Sequence, residues 1–240
     1  MASQIIKIGN KSLDYYKGLL IRADEKLHEQ IAENIVKNLN PGSKILDLGC
    51  GQGALSLRLQ DLGYKLLAVD VNKNDFEATD VPYEVCDFNS SHQVQNFLKS
   101  HNEEFDCVLG IEVIEHLENP WEYIRMLKSL VKEDGLIVLS TPNITSWYHR
   151  VVFLMTGLFP TFVDPDEIGH INPISEWEIK VIASKLHLKV ISALPAGTLP
   201  YIWLNSSPAK TLLNLLFLPL FPFMKGNLTG WCKLFLLKKV

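Results

Sequence analysis

The sequence has few cysteines, and they follow no recognisable spacing. Four cysteines occur in 240 residues, and no CxxC pair indicates a metal site or a redox motif. Residues 1–10 also lack the apolar stretch of a secretion signal. These absences argue against a disulfide-rich secreted protein. We expect buried free thiols in a protein that stays in the reducing cytoplasm.

An excess of charge of one sign is also missing. The 23 lysines and arginines nearly balance the 27 aspartates and glutamates, which leaves a formal net charge of -4. Such a chain has no general attraction for phosphate backbones, so no nucleic-acid partner is expected. With 47% hydrophobic and 21% charged residues, the composition is that of a folded globular protein. At this length we expect a single domain over residues 1–240.

Long apolar runs are scarce, and the most apolar window is residues 212–223 (LLNLLFLPLFPF). It is shorter than the ~20 apolar residues that cross a bilayer, and Pro219 and Pro222 interrupt it. We expect the wider segment 208–225 to cover the acceptor pocket, to fill the core, or to make peripheral contact with the inner face of a membrane. The nearby lysines that would suit an anionic headgroup layer are Lys210, Lys225, Lys233, Lys238 and Lys239.

The rest of the chain alternates between strand and helix patterns. Residues 12–38 predict one or two helices, which end before Asn40-Pro41-Gly42. The predicted strands that follow are 44–48, 66–70, 83–87, 105–111, 135–140, 188–193 and 231–238. The predicted helices among them are 54–62, 92–100, 120–131, 146–158 and 175–186. This alternation indicates right-handed βαβ units and an α/β fold whose mostly parallel sheet is covered by helices on both faces.

The first strand of that sheet leads into a glycine-rich turn, Asp47-Leu48-Gly49-Cys50-Gly51-Gln52-Gly53. Glycines let a backbone turn tightly and approach a ligand, and the following helix start offers N–H groups to an anion. A dinucleotide site would read GxGxxG, whereas the third glycine here comes one residue early, at Gly53. The spacing therefore disfavours NAD.

Acidic residues end the next two strands at the same predicted edge of the sheet. Asp70, followed by Val71, is placed where a carboxylate can accept both hydroxyls of a ribose. Asp87 and Phe88 end the third strand, where a carboxylate and a ring can hold an adenine. Gly110, near the end of the fourth strand, completes the expected cofactor-binding set. The pattern predicts a nucleoside-containing ligand at the carboxyl edge.

With these residues, the chain resembles the class I S-adenosylmethionine (SAM)-dependent methyltransferases, especially the ubiquinone-biosynthesis O-methyltransferases. The matching stretches are 45–53, 69–71, 86–88, 105–116 and 135–143. The resemblance implies SAM as the cofactor, with its methionine end at Asp47 and the glycines including the Cys50 turn, its ribose at Asp70 and its adenine at Asp87 and Phe88. It also implies a Rossmann-like seven-stranded sheet with an antiparallel last strand, and the apolar insertion then falls between the last two strands. The chain would divide into N-terminal helices (1–40), a SAM-binding core (41–143) and an acceptor-side part (144–240).

The fourth strand ends in Glu112-Val113-Ile114-Glu115-His116, which bears on the reaction itself. Glu112, Glu115 and His116 can bind a divalent cation such as Mg²⁺ through two carboxylates and an imidazole. Alternatively, the motif only shapes the loop under SAM, with His116 bonded to a backbone carbonyl. His116 is also the leading general base, because imidazole titrates near neutrality. His170, after a long irregular stretch, is a candidate fourth ligand, second base or substrate contact.

The remaining histidines have no such context, and we expect them on helix surfaces or in solvent. They are His28, His92, His101, His149 and His187. Tyr15, Tyr16 and Arg22 are placed by the pattern on an N-terminal helix, which either closes over the cofactor or packs on the sheet as an amphipathic helix.

Methyl transfer from a sulfonium explains why no nucleophilic Ser or Cys arrangement is needed. The leaving group is already activated, so the protein chiefly aligns the donor with the acceptor and excludes water. We predict an O-methyltransferase that acts on a small-molecule, lipid-linked or saccharide acceptor. An N-methyltransferase and a non-catalytic SAM-binding protein are the alternatives, and the oligomeric state is left open.

Overall fold

The computed structural model describes residues 14–24, 26–162, 169–198, 212, 216, 219, 223 and 225–240. Its strands are β1 (Tyr15–Tyr16), β2 (Leu19–Leu20), β3 (Lys44–Leu48), β4 (Lys65–Asp70), β5 (Tyr83–Val85), β6 (Phe105–Ile111), β7 (Val131–Pro142), β8 (Leu188–Ala196) and β9 (Cys232–Lys239). Its helices are α1 (Leu27–Asn38), α2 (Ala54–Asp61), α3 (Ser91–His101), α4 (Pro120–Leu130), α5 (Trp147–Thr156) and α6 (Glu176–Lys185).

Seven of these strands form one sheet in the order β5-β4-β3-β6-β7-β9-β8. Strands β3 to β7 pair in parallel, whereas β9 lies antiparallel between β7 and β8. This confirms the predicted seven-stranded, mostly parallel sheet with an antiparallel last strand. β7 and β8 extend beyond their predicted ends, and the helices predicted after residue 40 have boundaries that are correct to within about two residues.

Alternate residues of the central strands point into two apolar layers, one on each face of the sheet. Leu46 and Leu48 of β3 are buried in a layer that includes residues of α3, α4 and α6. Ile45 of the same strand points into the opposite layer, which includes residues of α1 and α2. Burial on both faces explains why β3 and β6 are nearly continuous apolar runs.

The N-terminal part differs from the prediction, since a hairpin precedes the helix. β1 and β2 pair antiparallel, joined by Lys17 and Gly18 with φ of 49° and 87°. Positive φ at both central residues gives the two-residue turn whose twist matches a hairpin. The predicted helix over residues 12–38 is therefore wrong in its first half, and of its described residues only Leu27–Asn38 are helical.

The three C-terminal lysines are engaged in ion pairs. The Lys233 ammonium is buried and lies 2.7 Å from Glu176, and that of Lys238 lies 3.0 Å from Asp134. Lys239 pairs with Glu103 and Glu133. Acidic partners in the same chain thus already pair with these lysines, and their contact with an anionic headgroup layer stays a prediction.

The apolar segment 208–225 lies mostly outside the described residues. Its described members include Leu212, Leu216 and Phe223, with exposed fractions of 59%, 64% and 78%. No helix among the described ranges is long and apolar enough to cross a membrane. Its three predicted roles therefore stay predictions.

The chain leaves β3 toward β4 on one side of the sheet, whereas β6 pairs with β3 on the other side. The carboxyl ends of β3 and β6 flank the point at which the strand order reverses, which is where ligands bind in open α/β sheets. Leu48 pairs with Gly110 at this edge. The glycine-rich turn and the Glu112–His116 turn are thereby brought side by side.

Candidate active site

The glycine-rich turn requires its glycines for both conformation and space. Gly49, Gly51 and Gly53 all have positive φ, of 80°, 54° and 86°. A Cβ on Gly49 would lie 2.3 Å from Cγ2 of Val113, and one on Gly53 would lie 2.6 Å from Cβ of Ala78. The turn is thus packed tightly against its neighbours, and the free N–H groups at the start of α2 follow it.

Two aspartates support this turn in different ways. Asp70 accepts hydrogen bonds from the N–H of Gly51 at 2.8 Å and from its neighbour Val71 at 2.7 Å. Asp47 is 2% exposed and accepts a 2.6 Å hydrogen bond from the Ser56 hydroxyl. Burial raises the pKa of Asp47 to about 6 against that hydrogen bond. Asp70 is therefore built into the turn, and Asp47 lies beneath it.

Asp87 and Phe88 follow the end of β5, which stops at Val85 and not at the predicted Asp87, and they lie beside groups that the pattern did not single out. Asp87 accepts a 2.9 Å hydrogen bond from the N–H of Asn89. The Phe88 ring lies 5.8 Å from the ring of Tyr123. A Cβ on Gly110 would lie 2.6 Å from the Tyr123 hydroxyl, so that glycine makes room for the tyrosine.

The N-terminal hairpin reaches the same turn through a residue that sequence reasoning missed. Gln52 accepts a 2.6 Å hydrogen bond from the N–H of Leu20 and donates a 2.8 Å hydrogen bond to Glu77. Arg22 lies close by, since its Cδ would be 3.7 Å from a Cβ on Gly51. Arg22 thus lies beside the turn, but it belongs to an irregular segment after β2 and not to the predicted helix, and its closing over the cofactor stays a prediction.

Glu115, His116 and His170 form a second cluster, in which one ligand atom from each lies within 4.8 Å of the others. Both Glu115 oxygens are buried and have no hydrogen-bond partner in good geometry among the described residues, although the Thr141 hydroxyl lies near. Burial, with the charge of Glu112 nearby, raises the pKa of Glu115 well above its usual value. A buried carboxylate without partners is a group that a cation or a proton stabilises.

Both imidazoles of the cluster are oriented by backbone carbonyls. His116 Nδ1 donates to Gly169 O at 3.0 Å, and His170 Nδ1 donates to Thr161 O at 2.8 Å. Because a carbonyl only accepts, each Nδ1 holds the proton and each Nε2 keeps a lone pair. Burial lowers the pKa of His116, and it lowers that of His170 to about 4. Neutral rings with a free Nε2 can bind a cation or accept a proton.

Glu112 lies apart from this cluster. Its φ of 54° turns the backbone, and its carboxylate accepts hydrogen bonds from the Ser140 hydroxyl at 2.7 Å and the Cys232 thiol at 3.4 Å. Burial raises the pKa of Glu112 to about 7. The structure thus brings Glu115 and His116 together with His170, and it places Glu112 against β7 and β9.

Two histidines expected at the surface are buried instead. His28 is 7% exposed and His149 is 0% exposed. His149 lies between hydroxyls, with Nδ1 2.9 Å from Ser146 Oγ and Nε2 2.9 Å from Thr161 Oγ1. Burial lowers the pKa of His149 to about 4, so the ring is neutral. The signal that sequence reasoning overlooked is the Ser-x-x-His spacing, because Ser146 caps α5 and faces the third residue of that helix.

The other three histidines expected on helix surfaces or in solvent are more exposed than His28 and His149. His92 and His187 are exposed. His101 is partly buried and pairs with Glu84 and Glu104 at 3.1 Å and 2.8 Å. The two carboxylates outweigh burial and raise the pKa of His101.

Comparisons with known proteins agree with this arrangement. The family described as "Methyltransferase domain" matches residues 22–193. A ubiquinone biosynthesis O-methyltransferase of Glaesserella parasuis is 32% identical over 159 residues, which cover 59% of this chain and 67% of that protein. One of Rickettsia felis is 33% identical over 183 residues, which cover 68% and 72%.

Solved structures share the fold. A SAM-dependent methyltransferase of Archaeoglobus fulgidus has a TM-score of 0.57 at 20% identity, covering 88% of this chain and 94% of that one. Magnesium protoporphyrin IX methyltransferase of Synechocystis, solved with bound SAH, has a TM-score of 0.59 at 16% identity, covering 89% and 82%. At these identities the likeness concerns the fold alone.

The packing of Gly53 can be tested against a glycine with the same backbone. Gly42 and Gly53 both have a φ of 86°, but a Cβ on Gly42 meets nothing within 4 Å. Gly42→Ala and Gly53→Ala should each lose about 1–2 kcal/mol of stability from left-handed strain. Only Gly53→Ala should also push the turn away from Ala78. We expect it to weaken SAM binding about tenfold or more in titration calorimetry, about 1.4 kcal/mol per decade, whereas equal SAM affinities in the two variants would contradict the assignment.

Proposed function

The chain belongs to the SAM-dependent methyltransferases, and from that premise we propose that it transfers the methyl group to a hydroxyl oxygen of a small-molecule acceptor. The observation that supports this proposal is the position of the Glu115–His116–His170 cluster beside the glycine-rich turn. One side of the edge offers backbone suited to the donor, and the other offers groups that can take a proton from an acceptor. We treat residues 1–240 as one domain, with parts 1–40, 41–143 and 144–240.

The donor half of this proposal rests on backbone and carboxylate geometry. Asp70 uses one lone pair on each oxygen for the turn, so further lone pairs remain for two ribose hydroxyls. The start of α2 can meet the carboxylate of the methionine end. The proposed cofactor-binding residues are Asp47, Gly49, Cys50, Gly51, Gly53, Asp70, Val71, Asp87, Phe88 and Gly110.

On the acceptor side, His116 is proposed as the general base, with His170 as the second candidate. The neutral His116 Nε2 takes the acceptor proton while the acceptor oxygen attacks the methyl carbon. The carbon–sulfur bond breaks with its electron pair going to sulfur, which leaves S-adenosylhomocysteine. Glu112 fixes the turn through Ser140 and Cys232. The buried setting excludes water from the developing charge.

The same cluster fits a divalent cation, and with an ion bound His116 Nε2 is a ligand and not the base, because its one lone pair cannot serve both roles. Glu115 offers a buried oxygen without partners. His116 and His170 each keep a lone pair on Nε2, because their Nδ1 atoms bond to carbonyls, and His170 Nε2 lies 4.0 Å from Glu115 Oε1. Of the residues first expected to bind it, Glu115 and His116 stay in the set, and His170 takes the place of Glu112. Two imidazoles and one carboxylate suit Mn²⁺ or Zn²⁺ better than Mg²⁺. When bound, such an ion lowers the pKa of an acceptor hydroxyl.

A row of rings supports an aromatic, lipophilic acceptor over a saccharide. The Phe162 ring lies 5.3 Å from His170, Phe159 lies 6.4 Å from Phe162, and Phe153 lies 4.7 Å from Phe159. The row leads from the cluster toward the exposed side of α5. The names of the relatives are consistent with this, since they place those proteins in ubiquinone biosynthesis. Proton removal by the cluster favours O-methylation over N-methylation.

The experiment that tests this function measures methyl transfer from labelled SAM to a catechol probe, with and without a chelator. We expect transfer that the chelator abolishes and Mn²⁺ restores. Glu115→Gln should lose at least about 10–100-fold in turnover, the range for changing even the outer partners of a metal ligand. Glu118→Gln, at an exposed position in the same region, is the matched control and should transfer like the wild type.

Three results separate the alternatives. Tight SAM binding without transfer to any hydroxyl or amine acceptor contradicts catalysis and favours a SAM-binding protein. Transfer to an amine probe alone contradicts O-methylation. Transfer that ignores the chelator but falls in His116→Ala rejects the cation and keeps the base.

A cytoplasmic position at the inner face of a membrane also belongs to the proposal. The exposed apolar residues Leu154 and Met155 of α5 and Leu158 just after it, 86%, 71% and 56% exposed, form an apolar surface beside the row of rings. We expect the protein to float with phosphatidylglycerol-containing vesicles. Replacing Leu154 and Met155 with serine should abolish flotation, whereas Val36→Ser on α1, at a 55% exposed position, should not. A wild-type protein that stays unbound would contradict membrane contact.

A further inference from the structure

A buried polar network of Ser146, His149 and Thr161, which are not members of the cluster, connects α5 to His170. Ser146 Oγ lies 2.9 Å from His149 Nδ1, and His149 Nε2 lies 2.9 Å from Thr161 Oγ1. The carbonyl of Thr161 then accepts the 2.8 Å hydrogen bond from His170 Nδ1. The network therefore runs from a helix cap to the ring whose Nε2 faces Glu115.

Packing alone does not account for an imidazole at this place. His149 is completely buried, and its ring lies 5.9 Å from that of Tyr148 and 6.1 Å from that of Trp231. An apolar side chain would fill such surroundings without the cost of burying two ring nitrogens. Both nitrogens have hydroxyl partners, and a fully satisfied buried network holds its members in one arrangement. The polar contacts of His149 thus fix the position of Thr161.

The position of Thr161 depends on this hydrogen bond to His149, because Thr161 belongs to no helix or strand. Its carbonyl is not held by a regular hydrogen-bond ladder, yet it sets the direction of the His170 ring. Outer partners that orient ligating or catalytic histidines commonly affect a site almost as strongly as the ligands do.

We propose that His149 and Thr161 are positioning residues that hold His170 in its Nδ1–H form, with Nε2 aimed at Glu115 and His116. His149 touches neither donor nor acceptor and acts only through Thr161. The role rests on the proposed use of His170 on the acceptor side. Removing the Thr161 hydroxyl should therefore change the tautomer and direction of the His170 ring and leave the glycine-rich turn intact.

The test uses two matched pairs of variants of the full chain. Thr161→Val removes the hydroxyl and keeps the shape, and Thr161→Ser keeps the hydroxyl. His149→Asn places an amide near Ser146 but not near Thr161, whereas His149→Gln reaches the position of Nε2. The readouts are the ring nitrogen-15 spectrum of His170, assigned with His170→Gln, the affinity for Mn²⁺ alone, and the affinity for SAM.

We expect one Nδ1–H tautomer in the wild type and Thr161→Ser, and a tautomer mixture in Thr161→Val. The affinity for Mn²⁺ should fall about tenfold in Thr161→Val, the lower end of the loss for outer-shell changes, with unchanged SAM affinity. At position 149, His149→Asn should show the same tautomer mixture and the same loss of affinity for Mn²⁺ as Thr161→Val. His149→Gln should stay close to the wild type. If Thr161→Val loses SAM binding through misfolding, the pair at position 149 decides.

A single unchanged tautomer in Thr161→Val and His149→Asn overturns the proposal. If the wild type does not bind Mn²⁺, the cation in the proposed function fails. The nitrogen-15 spectra still decide the positioning role in that case, because they require neither metal nor turnover.

Discussion

The contact between Gly49 and Val113 is the constraint on which the rest of the site depends. Gly49 belongs to the turn after β3, and Val113 lies between Glu112 and Glu115 in the turn after β6. A Cβ on Gly49 would lie 2.3 Å from Cγ2 of Val113, so the two turns meet with no room for a side chain. The parallel pairing of β3 with β6 brings them together, and the missing side chain lets them touch. The proposed donor and acceptor sides are therefore two parts of one packed edge.

The parts of the fold that were predictable are those that short-range patterns encode. Apolar runs separated by amphipathic helices predicted the strands and helices of a mostly parallel sheet, and glycines between a strand and a helix predicted the turn at Asp47. The hairpin at Tyr15–Tyr16 and Leu19–Leu20 was missed because its strands are two residues long. Its one local signal was Lys17-Gly18, which a helical pattern outweighed.

The parts of the site that were not predictable depend on contacts between distant residues. The side-chain direction of Glu112 follows from a positive φ and from partners on β7 and β9, which the local sequence does not reveal. His170 approaches Glu115 because an irregular segment folds back over the turn, where Ile171 and Asn172 donate to the carbonyl of Glu115. The burial of His149 likewise depends on Thr161, which no spacing rule connects to it. The sequence thus indicated which side chains could carry the chemistry, whereas only the fold showed which of them lie together.

The central claim, that the glycine-rich turn and the cluster form one site, is tested most directly by diffraction. Crystals grown with S-adenosylhomocysteine and Mn²⁺ would give an anomalous difference map at the manganese edge. We expect one strong peak bonded to Glu115, His116 and His170, with the nucleoside on the Gly49 turn and its sulfur facing that peak. A nucleoside bound on that turn with the metal elsewhere or missing would contradict the cation-binding account. A nucleoside bound away from the turn would contradict the site as a whole.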